Sequence, residues 1–330
     1  MYVRKNASNH KLSGEALDNL KFDRGAAKYE DTTVDVSLEY VTDSDIMAEF
    51  NKNVVPAAGP LNWLRKQQLI RLDKPTVAAV LLFSDSPQSI LPKQSAIKII
   101  RYNTTGEAHR DSLAGAPETI EGPIYDLIFD GVARVKAIIE ESKKLRDNVF
   151  KTVVYPDEAL HELIANAVLH RNYSVQTDIQ VRIFDNRVEI DSPGKLPGGV
   201  TVDNIKTVQF ARNPKIIRLV NKFDNPPNKD VGEGINTAIN AMGKLKLKPP
   251  EFIETASSFL AILRHEKLAS PEIIIMNYLD KNDEISNTIA RNMTGVAAPT
   301  TMGEIFNRLR QAGKIKLNKV PGKRYTWSKI

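Results

Sequence analysis

Residues 158–174, EALHELIANAVLHRNYS, set Glu162 and Asn166 four positions apart, so on a helix the two share one face about a turn from each other. Leu160, Leu163, Ile164, Ala167 and Val168 fall on the opposite arc. This predicts an amphipathic helix that packs by its apolar stripe and leaves a carboxylate and an amide free. A carboxylate can take a proton from an attacking water, and an amide oxygen can ligate Mg²⁺ without adding negative charge beside phosphates. The pair suggests nucleotide chemistry. An E-x-x-x-N spacing recurs by chance on the wet faces of helices, so the weight rests on the segments downstream of it in the chain.

Two β-patterned runs come next, Ile179 to Phe184 and Arg187 to Ile190, with Val181 and Ile183 alternating against polar neighbours across Asp185-Asn186. They predict a hairpin. It leads into a loop rich in glycine and proline, Asp191-Ser192-Pro193-Gly194-Lys195-Leu196-Pro197-Gly198-Gly199. Further on, Asp230-Val231-Gly232-Glu233-Gly234 precedes the helix-like INTAINAM. Glycines just before a helix let backbone N–H groups and the positive end of the helix dipole approach phosphate oxygens.

The order of E-x-x-x-N helix, strands, Asp-containing glycine loop and second glycine loop resembles the GHKL ATPase superfamily, which includes DNA gyrase B, MutL and the histidine kinases. More closely, ALHELIANAVLHRNYS, VRIFDNRVEIDSPGKLPGG, FARNP and DVGEGINTAINAM resemble the ATP-binding domain of bacterial RecG-related or Schlafen/AlbA-type regulators. The resemblance implies ATP and Mg²⁺ as cofactors, with Glu162 as the general base that activates water and Asn166 as the Mg²⁺ ligand. It also implies that Asp191 reads the adenine amino group beside Gly194, and that Gly232 and Gly234 line the triphosphate.

A helicase reading is excluded, because the P-loop G-x-x-x-x-G-K-[ST] does not occur; after Gly194-Lys195 stands Leu196 where Ser or Thr is required. His161-Glu162 begins like a zinc protease motif, but position 165 is Ala where the second histidine belongs, which excludes that catalytic zinc. His170, two turns after Glu162, reads as a structural histidine at the helix end, with approach to a phosphate as the alternative. Asp224 to Lys229, a Pro/Asn/Lys segment before the second glycine loop, reads as a candidate lid.

Charge is uneven along the chain. Residues 300–330 hold eight Lys or Arg against Glu304 alone, so the formal +6 of the whole chain resides in this tail. Such asymmetry predicts a polyanionic partner. Pro271 to Leu279, Asp283 to Met293 and Thr301 to Ala312 read as three helices, Gly313 ends the third, and Lys314 to Leu317 and Tyr325 to Trp327 read as strands around Pro321-Gly322. Three helices and a hairpin form the winged helix-turn-helix order, and GEIFNRLRQAGKI resembles bacterial winged-helix regulators. That likeness makes Thr300, Thr301, Asn307, Arg308, Arg310 and Gln311 candidates for groove or phosphate contacts, with Lys319, Lys323 and Arg324 on the wing. The alternative is a winged helix used for protein contacts.

Residues 2–20 resemble the last segment of a Schlafen/AlbA-type domain, either a naturally short form or a start at an internal methionine, and none of that domain's activity is expected. Val77 to Phe83, a continuous apolar run, predicts a buried strand, and Ala96 to Tyr102 predicts another. Pro123 to Arg146 predicts a long helix, and the region around it reads as scaffold or dimerisation surface. With 330 residues, 42% apolar and 26% charged, the chain has room for two or three domains. It has no cysteine, hence no disulfide or thiol chemistry, and no membrane-length apolar run or secretory signal, so a cytoplasmic location is expected.

These readings combine into an α+β chain. Its expected parts are a Schlafen/AlbA-type remnant (1–30), an α/β scaffold (31–148), a GHKL-like α/β sandwich with a mixed sheet under helices (149–265) and a winged-helix domain (266–330). The expected function is an ATP-binding transcriptional regulator that binds double-stranded DNA as a homodimer. The alternatives are an ATPase of DNA processing or anti-phage defence, and a degenerate, nucleotide-free scaffold.

Overall fold

The computed structural model describes residues 2–5, 8–11, 14, 27–55, 59–144, 155–208, 210–227, 234–265, 271–294, 296, 298–318 and 325–330. The chain divides into two compact units, Met1–Glu266 and Lys267–Ile330. Among the described residues no helix is long and apolar enough to cross a membrane.

In the first unit, strands β1 (Tyr2–Lys5) and β2 (Ser8–Lys11) pair antiparallel. A 3-10 turn (Tyr29–Asp31) is followed by helices α1 (Glu39–Thr42), α2 (Asp45–Val54) and α3 (Pro60–Lys66), and by a small ladder of β3 (Ile70–Arg71) and β4 (Lys74–Pro75). Next come α4 (Val77–Phe83), α5 (Pro87–Ile90), β5 (Ala96–Arg101), β6 (Glu118–Glu121) and α6 (Ile124–Lys144). The unit continues with α7 (Asp157–His170), β7 (Ile179–Ile183), β8 (Arg187–Pro193), α8 (Pro214–Val220), α9 (Gly234–Lys244), β9 (Glu251–Glu254) and β10 (Ser258–Arg264).

Six of these strands form one mixed sheet in the order β6-β5-β7-β8-β10-β9, in which only β5 and β7 run parallel. Side chains alternate across a pleated sheet, so register fixes which residues share a face. One row runs Ile99, Val181, Ile190, Ala261, Phe252, and these belong to or pack on the main apolar core with α6 and α7. The neighbouring row runs Lys98, Gln180, Asp191, Leu260, Ile253 on the opposite face. The boundary expected near residue 148 therefore falls inside a single sheet, because β5 before it pairs with β7 after it.

The run expected as a strand at Val77 to Phe83 is helix α4. Thr76 caps it, its side chain accepting from the Ala79 N–H at 3.3 Å, and all seven residues are buried. An apolar run without periodicity fits a fully surrounded helix as well as a central strand, and the capping threonine is what separates the two. The Asp191-Ser192-Pro193 start of the expected loop is instead the end of β8, so the loop begins at Gly194. Helix α7 ends at His170, so Arg171 to Ser174 lie beyond it.

The second unit runs α10 (Pro271–Leu279), β11 (Ile285–Ser286), α11 (Asn287–Thr294), α12 (Pro299–Gln311), β12 (Ile315–Asn318) and β13 (Thr326–Lys329). Its sheet order is β11-β13-β12. Part of the expected second helix, Ile285–Ser286, is thus a strand that pairs with β13. Ile275, Ile285, Met302, Ile305, Phe306 and Leu309 form its core, and Trp327 stacks on Phe306 with ring centroids 5.0 Å apart. Each such fully buried aliphatic side chain contributes about 1.5–3 kcal/mol. Gly313 stops α12 with φ of 67°, a conformation that costs glycine least.

Candidate functional site

Helix α7 is built from good helix formers, with Asp157 and Glu158 in the first turn, where carboxylates favour the helix dipole. Its C-terminal end is met from the FARNP segment: Asn213 Nδ2 donates to Leu169 O and to Arg171 O just beyond the helix, both at 2.9 Å, and Asn213 is buried. Asn213→Ala leaves those buried carbonyls without their donor, and is expected to lower unfolding free energy by about 1–3 kcal/mol in urea titration. Arg171 is buried as well, its guanidinium donating to Val175 O and Thr177 O and lying 5.0 Å from the Tyr173 ring centroid.

Glu162, Asn166 and His170 recur every four residues along α7 and all face one cavity of about 300 Å³. Asn166 Nδ2 donates to Glu162 Oε1 at 2.9 Å. Burial raises the Glu162 carboxyl above the usual range, opposed by the Asn166 hydrogen bond and by the nearby His161. Gly234, the first residue of α9, lies directly against this pair. A Cβ built there would come within 1.7 Å of Glu162 Oε1 and 3.4 Å of Asn166 Nδ2. Glycine at this position brings the start of a helix onto the carboxylate and amide, where any side chain would displace Glu162.

The rest of the cavity is apolar and basic. Ile190, Val200, Phe210, Ile217 and Phe259 supply walls, while Lys195, Lys206 and Asn236 reach it from the loops and α9. Asn236 Nδ2 donates to Lys206 O at 3.3 Å, tying the 201–208 turn to α9. Behind the wall, the buried Glu30 accepts from the Lys215 and Ile216 N–H groups at 3.0 and 2.9 Å, holding the start of α8.

Asp191 does not join this cavity. It lies one residue out of phase, on the opposite sheet face, where its Oδ2 accepts from Arg182 Nη2 at 3.1 Å. The expected adenine-reading carboxylate therefore belongs to a charged cluster with Arg182 and Glu189. Strand alternation turns its neighbour Ser192 inward instead, and Ser192 Oγ donates to Ala167 O at 2.9 Å. Gly194 lines the cavity in a left-handed conformation, φ 100°. Gly232 lies outside the described residues, as do 228–229 of the expected lid; of that lid, Pro227 O meets His161 Nε2 at 2.8 Å.

Sequence reading did not single out Ser192, Lys195, Lys206 and Asn236, and read His170 as structural with approach to a phosphate as the alternative; His170 lines the cavity. The i, i+4, i+8 spacing of Glu162, Asn166 and His170 carried the signal for the last, and period-two counting from Ile190 carried it for Ser192. Lys206 sits in a turn and gave none. Burial, and then Arg212, depress His170 from 6.5 to about 4. Between those values the unfolded chain binds the extra proton, so stability is full above pH 6.5 and falls as pH drops toward 4. Urea unfolding at pH 7, 5.5 and 4.5 is expected to show His170→Asn losing about 1–3 kcal/mol less than the parent over that range.

In the second unit Thr300, Thr301, Asn307, Arg310 and Gln311 are exposed on α12. Arg308 is exposed too, but pairs with Glu272 of α10 at 2.7 Å. Lys319, Lys323 and Arg324 lie outside the described residues.

Residues 176–263 match the family described as "Putative ATP-dependent DNA helicase recG C-terminal". This stretch is similar to a RecG-like, ATPase-type domain, and Glu162 and Asn166 stand upstream of it on α7. No curated protein matches the chain. Among solved structures, the DIP2311 protein from Corynebacterium diphtheriae is similar in fold, with a TM-score of 0.55 and 16% identity, over 100% of this chain and 70% of that one.

Proposed function

We propose that the protein binds ATP with Mg²⁺ in the cavity between α7, β8 and α9 and uses nucleotide occupancy to modulate DNA binding by the second unit, as a GHKL-type, winged-helix transcriptional regulator. The observation that carries the first half is the Glu162–Asn166 pair at the cavity wall with the glycine start of α9 against it. Asn166 Nδ2 donates to Glu162 Oε1, which leaves Oδ1 available as a hard oxygen ligand. Among the described residues no cluster of three His, Cys, Asp or Glu side chains could hold a metal, so a cation here shares its coordination with phosphates. Mg²⁺, when bound, neutralises phosphate charge. The N–H groups that open α9 and the ammonium groups of Lys195 and Lys206 supply further positive potential, and Glu162 is the group able to accept a proton from water.

The DNA half rests on charge and element order. The second unit, Lys267–Ile330, holds 11 Lys and Arg against 5 Asp and Glu, which equals the net +6 of the entire chain. Its three helices and three-stranded sheet support a winged helix with α12 as the reading helix. Coupling requires ATP to bind the DNA-bound and free forms with different affinity.

Calorimetric titration of the purified chain with ATP and Mg²⁺ tests this reading. Micromolar binding is expected, weakened at least tenfold in Asn166→Ala, together with a DNA affinity that falls steeply with salt and changes when ATP is added. Equal DNA affinity with and without ATP would sink the coupling, and a monomer by light scattering would remove the expected dimer.

A further inference from the structure

The cavity has two polar ends along α7. Glu162 and Asn166 form one, beside Gly234. His170 lies eight residues further, about 12 Å along the helix at 1.5 Å per residue, and Ser192 joins that far end through its bond to Ala167 O. If phosphates lie beside Glu162 and Asn166, the base of the nucleotide occupies the far end, between Ile190, Val200 and Phe259.

A site selects adenine over guanine by what it presents to position 6 of the purine, an amino donor in adenine and a carbonyl acceptor in guanine. A carboxylate only accepts, so it pairs with the amino group and repels the carbonyl. Here the neighbouring carboxylate, Asp191, is turned to the opposite face of the sheet and engaged by Arg182. The inward group is a hydroxyl, which gives its proton to Ala167 O or to a ligand and accepts on its lone pairs in either case. His170 is held neutral at pH 7, and a neutral imidazole has one donor and one acceptor nitrogen. Both groups adapt to either purine.

Resting on the nucleotide reading, we infer that this cavity accepts purine nucleoside triphosphates without discriminating a 6-amino from a 6-oxo group, because Ser192 and His170 form its base end and Asp191 is excluded from it. Sites that commit a buried group to one hydrogen-bonding sense reject the mismatched ligand by large factors; this one has no such commitment.

The test is calorimetry of the full chain with ATP and, separately, GTP, each in Mg²⁺. Dissociation constants within about threefold of each other are expected. Ser192→Asp, which restores an acceptor-only group to the inward position, is expected to favour ATP over GTP by at least tenfold, whereas Asp191→Asn leaves the ratio unchanged. Tenfold or greater preference for ATP in the parent chain overturns the inference while the nucleotide reading stands. Binding of neither nucleotide overturns both. The parent-chain comparison decides the matter even where a variant fails to fold.

Discussion

On the ATPase alternative, in which the proposed site turns ATP over, Glu162→Gln is expected to lower phosphate release by roughly 10²- to 10⁴-fold, the usual contribution of a positioned general base, while ATP affinity changes less than threefold. The separation follows from geometry. Glutamine keeps an oxygen for the Asn166 Nδ2 donor, so the pair and the adjacent start of α9 stay in place, but an amide cannot take a proton from water. Because burial raises the Glu162 carboxyl, turnover in the parent protein is expected to climb with pH through a value above the ordinary carboxylate range, as the base deprotonates. The rising limb disappears in the glutamine variant. Equal turnover in parent and variant would remove Glu162 from the chemistry and leave the cavity as a binding site only.

Gly194→Ala is expected to lower unfolding free energy by about 2–4 kcal/mol. Gly194 has φ of 100°, where L side chains are strained, and a Cβ there would come within 2.4 Å of both Asn172 Cβ and Arg212 Nη1. Its surroundings have little freedom to yield: Asn172 N–H donates to Pro193 O at 2.8 Å, and Gly194 N–H donates to Ser257 O at 2.9 Å. Gly199→Ala is the control. That residue has φ of 82° but meets nothing within 4 Å, so only the backbone strain, about 1–2 kcal/mol, is expected. Equal losses for the two variants in urea unfolding would show that the packing around Gly194 relaxes more than its hydrogen bonds suggest.

How much could be read from the sequence depended on the range of the interactions involved. Helices α6 and α7 have long apolar stripes, and the β7–β8 hairpin has clean alternation, so both were legible from residues close together in the chain. Glu162 and Asn166 were legible for the same reason. Where local pattern underdetermines the answer, reading failed. The seven apolar residues of α4 carry no period, and Ile285–Ser286 is a strand only because β13, forty residues later, lies beside it. Asp191 was misplaced because β8 runs on to Pro193, and one residue of phase decides which sheet face a side chain occupies. The glycine and proline there resemble loop chemistry, yet Pro193 ends the strand, where its missing N–H costs least.

The parallel pairing of β5 with β7 limits how this architecture can be inherited. Residues 176–263 include β7, β8, β9 and β10 but neither β5 nor the helices α6 and α7 that cover the sheet. Cut out at those limits, the stretch would bare the long edge of β7 and the apolar face carrying Val181 and Ile190, an invitation to pair with other chains. A recombination event that moves the matched stretch into a new gene must therefore bring β5 with it. The shared core reaches further back still, since α4 and the Glu30 contact to the start of α8 precede β5, so the region expected as scaffold or dimerisation surface is continuous with the sheet.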